Sequence, residues 1–328
     1  MALSLAKHLK NKQKRGMSIA SRPKVTVIGC GHWGKNIVRN LAALGALGAI
    51  ADQDKARAAE MAATYGVPAH SLDSALAPDA PSAVAIVTPI HTHADMVARA
   101  LAAGKDVYVE KPIALDGKTA AQLVDVANKN QRVLMVGHLL RYHPAFIKLL
   151  EQVHAGAIGA VRHIAAHRLH FWPMHPNESV LSDLAPHDLA MIDGITARLP
   201  DLSPHAFHVA GQSFLNPGQP DAVQVHLRYG DITAHLNLSR YNPYKEHRFT
   251  VIGETGALVF DDARPWDEKL ILSRPKGQTI HQAIALEMDE PLGREMQHFI
   301  TCLETRMAAL TGGDHAVRVS TILEALLK

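Results

Sequence analysis

The feature that most constrains the fold is a glycine loop directly after a β-branched run. Residues 25–28 read Val-Thr-Val-Ile, and residues 29–34 read Gly-Cys-Gly-His-Trp-Gly. Glycines at this spacing between a strand and a helix are typical of dinucleotide-binding folds, because they permit a tight turn and let backbone N–H groups approach a pyrophosphate. An ordinary strand-to-helix turn is the alternative. We expect this loop to hold a cofactor through Gly29, Gly31, His32, Trp33 and Gly34.

A carboxylate lies at the position where such folds select their cofactor. Residues 46–51 predict a second strand, and Asp52 follows it, 18 residues after Gly34. A carboxylate here can accept hydrogen bonds from the ribose hydroxyls of NAD, and it repels the 2′-phosphate of NADP. Asp52 therefore predicts NAD. Lys55 and Arg57 are close to it in the sequence, so NADP stays open.

From Lys24 to His143, short apolar runs alternate with alanine-rich helical stretches, which is the pattern of βαβ units. Strands are predicted at 25–28, 46–51, 83–87, 107–109 and 133–136, and helices at 33–44, 54–65 and 93–103. The pattern predicts a Rossmann domain over residues 23–143. This is an α/β domain with a parallel, doubly wound sheet, for which six strands are expected.

The pattern changes after Pro144. Period-2 alternation predicts seven strands, at 161–169, 206–214, 222–229, 232–239, 249–253, 257–260 and 269–272. We expect residues 144–328 to form an α+β domain with a large, mostly antiparallel open sheet, which binds substrate and makes oligomer contacts. Two late helices, at 291–307 and 317–327, are expected to pack back on the first domain.

The basic charge is concentrated in the first 22 residues. The chain has a net charge of +3, and residues 1–22 contain six Lys and Arg and no acidic residue, so the remainder carries 3 − 6 = −3. We interpret residues 1–22 as a disordered leader, with Met17 as an alternative start. A basic tail that binds nucleic acid or an anionic membrane surface is the other interpretation.

Composition predicts a water-soluble chain in a reducing compartment. Hydrophobic residues make up 47% of the chain, and no apolar run approaches the ~20 residues of a membrane span. The two cysteines, Cys30 and Cys302, favour a reducing compartment over a disulfide scaffold. We therefore expect a cytoplasmic protein that binds neither nucleic acid nor membrane.

A second motif, Glu110-Lys111-Pro112, follows a predicted strand at the carboxyl end of the sheet, where open α/β folds bind their ligands. Two further motifs are Thr88-Pro89 followed by His93, and Val136-Gly137-His138 followed by Arg141. Together with the glycine loop, these motifs resemble the glucose-fructose oxidoreductase/inositol dehydrogenase (Gfo/Idh/MocA) family. The resemblance covers about residues 24–328.

The resemblance implies a nicotinamide enzyme that oxidises a secondary alcohol of a sugar or cyclitol. Lys111 is the implied residue at the reacting centre, aimed by a cis peptide bond before Pro112. A surface lysine at a strand end is the alternative for Lys111. Further cofactor contacts are implied at Thr88, Pro89, His93, Glu110 and Lys111.

Members of this family also carry a D-x-x-x-H motif on a helix, and Asp183 and His187 fit that spacing. Residues four apart share a helix face, so both side chains are expected to project towards the nicotinamide. A histidine suits removal of the alcohol proton as hydride leaves the same carbon. Ser182 stands where the family usually has a glycine. The alternative is an aspartate at a helix start with an interfacial histidine.

Three stretches, at 136–146, 184–188 and 241–247, resemble the branch of the family that oxidises the 3-hydroxyl of UDP-linked N-acetylated amino sugars. The implied substrate is UDP-N-acetylglucosamine. Its 3-keto product would pass to a PLP-dependent aminotransferase for lipid A, lipopolysaccharide or another surface polysaccharide. Residues expected to meet this substrate and its phosphates are His138, Arg141, Arg168, Arg240 and Lys245.

Three alternatives to this function stay open. Two are enzymes, a UDP-N-acetylglucosaminuronate 3-dehydrogenase and an inositol or sugar dehydrogenase. The third is an NAD(H)-binding sensor without chemistry. The family also implies a homodimer or homotetramer that assembles through the open sheet.

The 21 histidines raise the question of a metal. His163, His167 and His170 are closely spaced, but on the predicted strand His163 and His167 share one face and His170 lies on the other. The sequence has no H-E-x-x-H or paired-cysteine spacing. We therefore expect no metal site.

Overall fold

The computed structural model describes residues 22–171, 179–213, 220–276 and 278–328. Apart from Arg22, the predicted basic leader lies outside the described residues. The described chain divides into two units, each with its own sheet. The first, here the cofactor unit, contains residues 22–139 and 290–321. The second, here the sheet unit, contains residues 140–289 and 322–328 where they are described.

The cofactor unit is built on a six-stranded parallel sheet of order β3-β2-β1-β4-β5-β6. Its strands are β1 (Val25–Ile28), β2 (Leu47–Ala51), β3 (Ala69–His70), β4 (Ala83–Ile86), β5 (Asp106–Glu110) and β6 (Leu134–Gly137). The predicted Rossmann fold is confirmed. Sequence reasoning located five of these strands and missed β3, because two residues are too few to show a period.

Helices alternate with these strands: α1 (Gly34–Ala43), α2 (Lys55–Tyr65), α3 (Leu72–Leu76), α4 (His93–Ala102) and α5 (Gly117–Lys129). The end of α2 shows how local sequence sets a boundary. The Asp54 side chain accepts hydrogen bonds from the N–H groups of Ala56 and Arg57, and Gly66 ends the helix in a left-handed conformation (φ 65°). Both features are standard helix caps. The prediction did not include α3 and α5.

The cofactor unit is completed by late helices. These are α8 (Pro291–Thr305) and the part of α9 (Gly313–Leu327) up to Thr321. The ring centroids of Phe299 on α8 and Tyr108 on β5 are 5.8 Å apart. Beyond α8, Arg306 forms a two-pronged ion pair with Asp106, with N···O distances of 2.7 and 2.9 Å. Ala316 of α9 belongs to the same apolar core as β1, β4 and β5.

The sheet unit contains an eight-stranded sheet of order β14-β13-β12-β11-β7-β10-β9-β8. Its strands are β7 (Val161–Phe171), β8 (His208–Gln212), β9 (Ala222–Tyr229), β10 (Ile232–Ser239), β11 (Tyr241–Gly253), β12 (Ala257–Asp261), β13 (Leu270–Lys276) and β14 (Gln278–Ala283). Pairing is antiparallel except between β7 and β10. The mostly antiparallel sheet is confirmed.

The predicted count of seven strands was wrong by one. The structure adds β14, which pairs with β13. It also starts β11 at Tyr241, eight residues before the predicted start, because the register with β7 shifts between Tyr241 and Glu246 and breaks the period-2 pattern there. Helix α6 (Pro144–His154), which was not predicted, precedes β7, and α7 (Val180–Thr196) lies between β7 and β8.

Apolar side chains of α7 and of strands β9 and β10 form the core of the sheet unit. Along β9, Val223, Val225, Leu227 and Tyr229 are buried, whereas the alternate residues are more exposed. This is the pattern of a sheet with one face packed on helices. Within the described chain, no helix is both long enough and apolar enough to cross a bilayer.

Candidate active site

The three glycines of the cofactor loop meet different surroundings. Gly29 has a φ of +94°, and a Cβ placed on it would lie 2.5 Å from the Val87 carbonyl oxygen. A Cβ on Gly34 would lie 2.0 Å from the Gly29 carbonyl oxygen. A Cβ on Gly31 would meet no protein atom within 4 Å. Gly29 and Gly34 are therefore required by the turn itself, and Gly31 leaves the outer side of the loop open.

Asp52 is tied to this loop. Its Oδ2 accepts hydrogen bonds from the Cys30 N–H at 2.8 Å and from the Cys30 thiol at 3.3 Å, and its Oδ1 accepts one from the Asp54 N–H at 2.9 Å. Arg57 lies 3.6 Å from Oδ1. Burial raises the pKa of Asp52, but these donors and the Arg57 charge outweigh it and lower the pKa. The side chain is an ionised brace between the ends of β1 and β2.

Cys30 is not a nucleophile. Burial, followed by the hydrogen bond to Asp52 and its negative charge, raises the pKa of the Cys30 thiol to about 12. Burial also raises the pKa of Cys302 to about 12. Because the thiolate is the reactive form of cysteine, neither side chain is suited to reactive-thiol chemistry.

The Glu110-Lys111-Pro112 segment is held from two sides. The Lys111–Pro112 peptide bond is cis, and the Lys111 side chain is half-buried. His93 lies 1% exposed, with Nδ1 2.8 Å from the Pro112 carbonyl oxygen and Nε2 2.7 Å from the Thr88 carbonyl oxygen. Burial lowers the pKa of His93, although both carbonyl contacts oppose that effect. Its ring joins the Thr88 segment to the lysine segment.

Glu110 gathers donors from three places. Its Oε1 accepts hydrogen bonds from the Trp33 indole N–H and the Tyr108 hydroxyl, both at 2.8 Å. Its Oε2 accepts one from the Lys111 N–H at 3.2 Å. A Cβ on Gly137 would lie 2.4 Å from the Tyr108 hydroxyl oxygen, so the glycine makes room for this cluster. Trp33, His32 and Pro89 are exposed.

In the sheet unit, helix α7 presents the predicted D-x-x-x-H pair. Asp183 and His187 are half-exposed, whereas Leu184, Ala185 and Pro186 between them are buried. The two side chains therefore share the outward face, as the spacing predicted. Arg240, at the junction of β10 and β11, forms an ion pair with Asp183.

Ser182 has a structural role at the start of α7. The Ser179 hydroxyl accepts a hydrogen bond from the Ser182 N–H at 3.0 Å, and the Ser182 hydroxyl accepts one from the Ser179 N–H at 3.1 Å. This reciprocal arrangement is a capping box. Serine at the position before Asp183 thus fixes the helix start that carries the pair.

Most of the predicted substrate residues are engaged inside their own units. Arg168 pairs with both carboxylate oxygens of Asp188, at 2.8 and 3.0 Å. Arg141 is buried and donates to the Ala190 carbonyl oxygen at 3.1 Å. Arg168 thus holds β7 against α7, and Arg141 holds the segment before α6 against α7.

Two further predicted residues differ from each other. His138 is buried in the cofactor unit, with its ring edge-on to that of His315 and the centroids 5.0 Å apart. Lys245 has an exposed side chain. Of the five residues predicted to meet substrate, Lys245 alone is exposed.

Two histidines beside the Asp183–Arg240 pair were not predicted as site residues. His170 Nδ1 lies 3.4 Å from His247 Nε2. Burial, followed by the charge of Arg240, lowers the pKa of His170. Burial, followed by the charge of Arg168, lowers the pKa of His247 to about 3. Both rings are neutral hydrogen-bonding groups. The signal for His170 was its strand face, which is the face of Arg168.

The predicted strand through the three closely spaced histidines is confirmed. In β7, Ile164, Ala166 and Arg168 are buried, whereas His163, Ala165 and His167 between them are partly exposed, and His170 falls on the face of Ile164 and Ala166. In the part of the chain that the structure describes, no group of three His, Cys, Asp or Glu side chains has the geometry of a metal site.

Two family models match the chain. One is described as an oxidoreductase family with an NAD-binding Rossmann fold and covers residues 23–138. The other is the GFO/IDH/MocA C-terminal domain and covers residues 146–259. The chain belongs to the Gfo/Idh/MocA oxidoreductase family. The resemblance drawn from the sequence motifs is thereby confirmed.

Individual relatives are named as dehydrogenases of different substrates. The UDP-N-acetylglucosamine 3-dehydrogenase of Acidithiobacillus ferrooxidans is 39% identical over 165 residues, which is 50% of this chain and 51% of that protein. Its crystal structure matches with a TM-score of 0.82 and 28% identity, covering 93% of this chain and 99% of that one. The inositol 2-dehydrogenase of Rhizobium meliloti is 26% identical over 293 residues, 85% of this chain and 88% of that protein.

The cofactor of this Gfo/Idh/MocA protein is NAD, and the loop geometry fits it. A Cβ on Gly31 would stand in open space, which leaves room for a pyrophosphate at the N-terminus of α1. Asp52 keeps a negative charge at the end of β2, which suits ribose hydroxyls and opposes a 2′-phosphate. Bound NAD would supply the hydride acceptor.

Proposed function

We propose that the chain oxidises the 3-hydroxyl of UDP-N-acetylglucosamine to the 3-keto sugar, with NAD as oxidant. The observation that carries the proposal is the similarity to the A. ferrooxidans UDP-N-acetylglucosamine 3-dehydrogenase, in sequence over half the chain and in structure over 93% of it. The sequence alignment spans about half of that relative's length.

The proposed chemistry assigns roles to His187, Asp183 and Lys111. Bound NAD would supply the hydride acceptor for the carbon that bears the hydroxyl. His187 takes the hydroxyl proton, so that the remaining electron pair forms the C=O bond. Asp183, one helical turn earlier on the same face, stabilises the imidazolium that results. Lys111 supplies a positive charge at the reacting centre.

Binding roles follow from exposure and charge. Lys245 is exposed and is proposed to contact the substrate diphosphate. Arg240 is proposed to orient Asp183, with which it is paired. Arg168, Arg141 and His138 are buried and support the site from within their units. In the cofactor unit, Gly31, His32, Trp33, Thr88 and Pro89 are proposed to line the NAD site.

The product sets the next reaction. A 3-keto nucleotide sugar is a substrate for a PLP-dependent aminotransferase, which would give a 3-amino sugar for lipid A, lipopolysaccharide or another surface polysaccharide. We further propose a cytoplasmic homodimer or homotetramer. Size-exclusion chromatography with light scattering tests the assembly, and a monomer would contradict it.

An inositol or sugar dehydrogenase is the second candidate. It is favoured by the similarity to inositol 2-dehydrogenases, which extends over 85% of the chain at 25–26% identity. A UDP-N-acetylglucosaminuronate 3-dehydrogenase is a third candidate, which would catalyse the same oxidation at the 3-hydroxyl. Its site needs one more cation to bind the carboxylate of the substrate.

The test compares NADH formation with UDP-N-acetylglucosamine, UDP-N-acetylglucosaminuronate and myo-inositol. An aminotransferase with its amino donor is added to remove the ketone, because the oxidation alone is expected to be unfavourable. Turnover of UDP-N-acetylglucosamine is the expected result. Turnover of myo-inositol alone would overturn the proposal.

Lys111→Met separates enzyme from sensor. The variant is expected to lose turnover by more than about 100-fold, in line with the loss of a group at the reacting centre, while NADH binding measured by fluorescence titration persists. Lys118→Met, at an exposed site on α5, is the matched control. Equal activity in Lys111→Met would contradict the proposed mechanism.

A further inference from the structure

A hydrogen-bonded series of side chains links α8 to the cofactor loop, in the order Glu295, Tyr108, Glu110 and Trp33. The Tyr108 hydroxyl oxygen lies 2.8 Å from Glu110 Oε1 and 3.3 Å from Glu295 Oε2. Glu110 in turn binds the Trp33 indole N–H and the Lys111 backbone N–H. Glu295 is 1% exposed and Tyr108 is fully buried. Two carboxyl groups therefore share one buried hydroxyl.

The donor of each hydrogen bond in this series can be assigned. A tyrosine hydroxyl has one proton to donate, and its oxygen can also accept. The shorter distance assigns the Tyr108 proton to Glu110. Glu295 then faces the lone pairs of the Tyr108 oxygen, and its Oε1 has no hydrogen-bond partner in the described chain. An ionised Glu295 would be a buried charge without a donor, which proteins avoid.

A protonated Glu295 removes this conflict, because its O–H can donate to Tyr108 while Tyr108 donates to Glu110. Burial, followed by the negative charge of Glu110, raises the pKa of Glu295 well above its ordinary value. Burial and the two nearby carboxyl groups also raise the pKa of Tyr108, which stays a donor. The hydrogen bonds then run in one direction, from Glu295 on α8 to Tyr108 and from Tyr108 to Glu110.

We propose that Glu295 is a positioning residue that carries a proton at neutral pH and, through Tyr108 and Glu110, fixes Trp33 and the Lys111 backbone for cofactor binding. Trp33 directly precedes Gly34, the first residue of α1. Glu110 thus connects the helix terminus that receives the pyrophosphate to the segment that carries the lysine. Glu295 acts on the cofactor through this connection and does not touch it.

Substitution at Glu295 separates a proton donor from a charge. Glu295→Gln keeps a neutral hydrogen-bond donor of the same shape, whereas Glu295→Leu removes the donor. Tyr108→Phe removes the hydroxyl that joins Glu295 to Glu110. Trp33→Phe identifies the Trp33 contribution among the three tryptophans of the chain. The readouts are the Trp33 emission of the cofactor-free protein and the Kd for NADH, with thermal unfolding as a check that each variant folds.

Glu295→Gln is expected to keep the Trp33 emission and an NADH Kd within about twofold of the wild type. Glu295→Leu and Tyr108→Phe are expected to shift the emission and to raise the Kd about fivefold, the effect of one net hydrogen bond. If Tyr108→Phe leaves both unchanged, Glu295 has no route to the loop. If Glu295→Gln fails as Glu295→Leu does, the charge is what matters. Either result overturns the proposal.

The pH dependence of stability gives an independent reading. A carboxyl group with a raised pKa in the folded state holds a proton that the unfolded chain has lost, so folding stability declines as pH rises above the unfolded value. The wild type is therefore expected to lose stability relative to Glu295→Gln between pH 5 and pH 8. A stability difference that does not change with pH over this range contradicts a protonated Glu295.

Discussion

Residues of the same type do different work in the cofactor loop. Gly34 has no room for a Cβ because the Gly29 carbonyl oxygen occupies that position, whereas Gly31 has room on its open side. One glycine is therefore required by the turn, and the other leaves open space beside the loop. Their spacing in the sequence identified both, but it assigned the two roles by analogy. The distances from a Cβ show the steric difference between the two positions in this chain.

This difference gives a matched pair of variants. Gly31→Ala is expected to unfold at the wild-type temperature and to bind NADH at least about tenfold more weakly, a loss of about 1.4 kcal/mol, because its methyl group enters the pyrophosphate position. Gly34→Ala is expected to lose stability as well as binding. Thermal unfolding and NADH titration measure both. Normal NADH affinity in Gly31→Ala would show that the loop does not receive the pyrophosphate.

Asp52 and Glu295 mark the limits of sequence reasoning at this scale. Asp52 could be predicted because its position depends on a short spacing after a strand. Its bonds to the Cys30 N–H and thiol were not predicted, because they join strand ends 22 residues apart. Glu295 lies 187 residues from Tyr108 and carries no local motif. Contacts of this kind depend on packing that no periodicity reports.

At the scale of elements, strand β7 joins the two halves of the larger sheet. It pairs in parallel with β10 and antiparallel with β11. Its helix-facing side brings Arg168 to Asp188 on α7 and His170 to His247 on β11. The sequence predicted β7 and the face of each histidine. It did not predict β11 as the partner strand, because the irregular start of β11 hides its period.

The histidines between β7 and β11 predict an acid-sensitive unit. The pKa of His247 is lowered to about 3, so between that value and about 6.5 the unfolded chain takes up a proton that the folded chain does not. Stability should therefore fall as pH falls from 7 to 5, with a contribution from His247 of at most ~1.4 kcal/mol per pH unit. His170, Arg168, Lys245 and Asp262 set this environment.

Urea unfolding at pH 7 and pH 5 tests this expectation. His247→Gln should lose less stability on acidification than the wild type. His205→Gln, at an exposed position of the same unit, is the control and should behave as the wild type. Identical acid sensitivity in all three proteins would show that His247 takes up its proton equally in the folded and unfolded states.

At the scale of the whole molecule, order in the sequence and order in space differ. Residues 290–321 belong with residues 22–139, although about 150 residues of the sheet unit separate them. Their bonds are specific: Phe299 packs on Tyr108, and Arg306 pairs with Asp106. The sequence predicted late helices that pack back on the first domain, and a domain boundary at residue 143.

A truncated chain tests this arrangement. Residues 22–139 alone should fail to form a cooperatively folded protein, because α8 and the Asp106 ion pair are missing. Residues 22–139 joined by a glycine-serine linker to 290–321 should fold and bind NADH. Circular dichroism with thermal unfolding and NADH fluorescence are the measurements. Wild-type NADH affinity in residues 22–139 alone would contradict the prediction.

The position of residues 290–321 also determines when each unit can fold during translation. A ribosome releases the glycine loop early, but the helix that carries Glu295 is made only after the entire larger sheet. The centre of that sheet also forms late, because β7 pairs with β10 and β11. Their paired residues lie some 70 positions or more after β7 in the sequence. Neither unit can be finished early, so apolar surface of the cofactor unit stays uncovered until residues 290–321 have been translated.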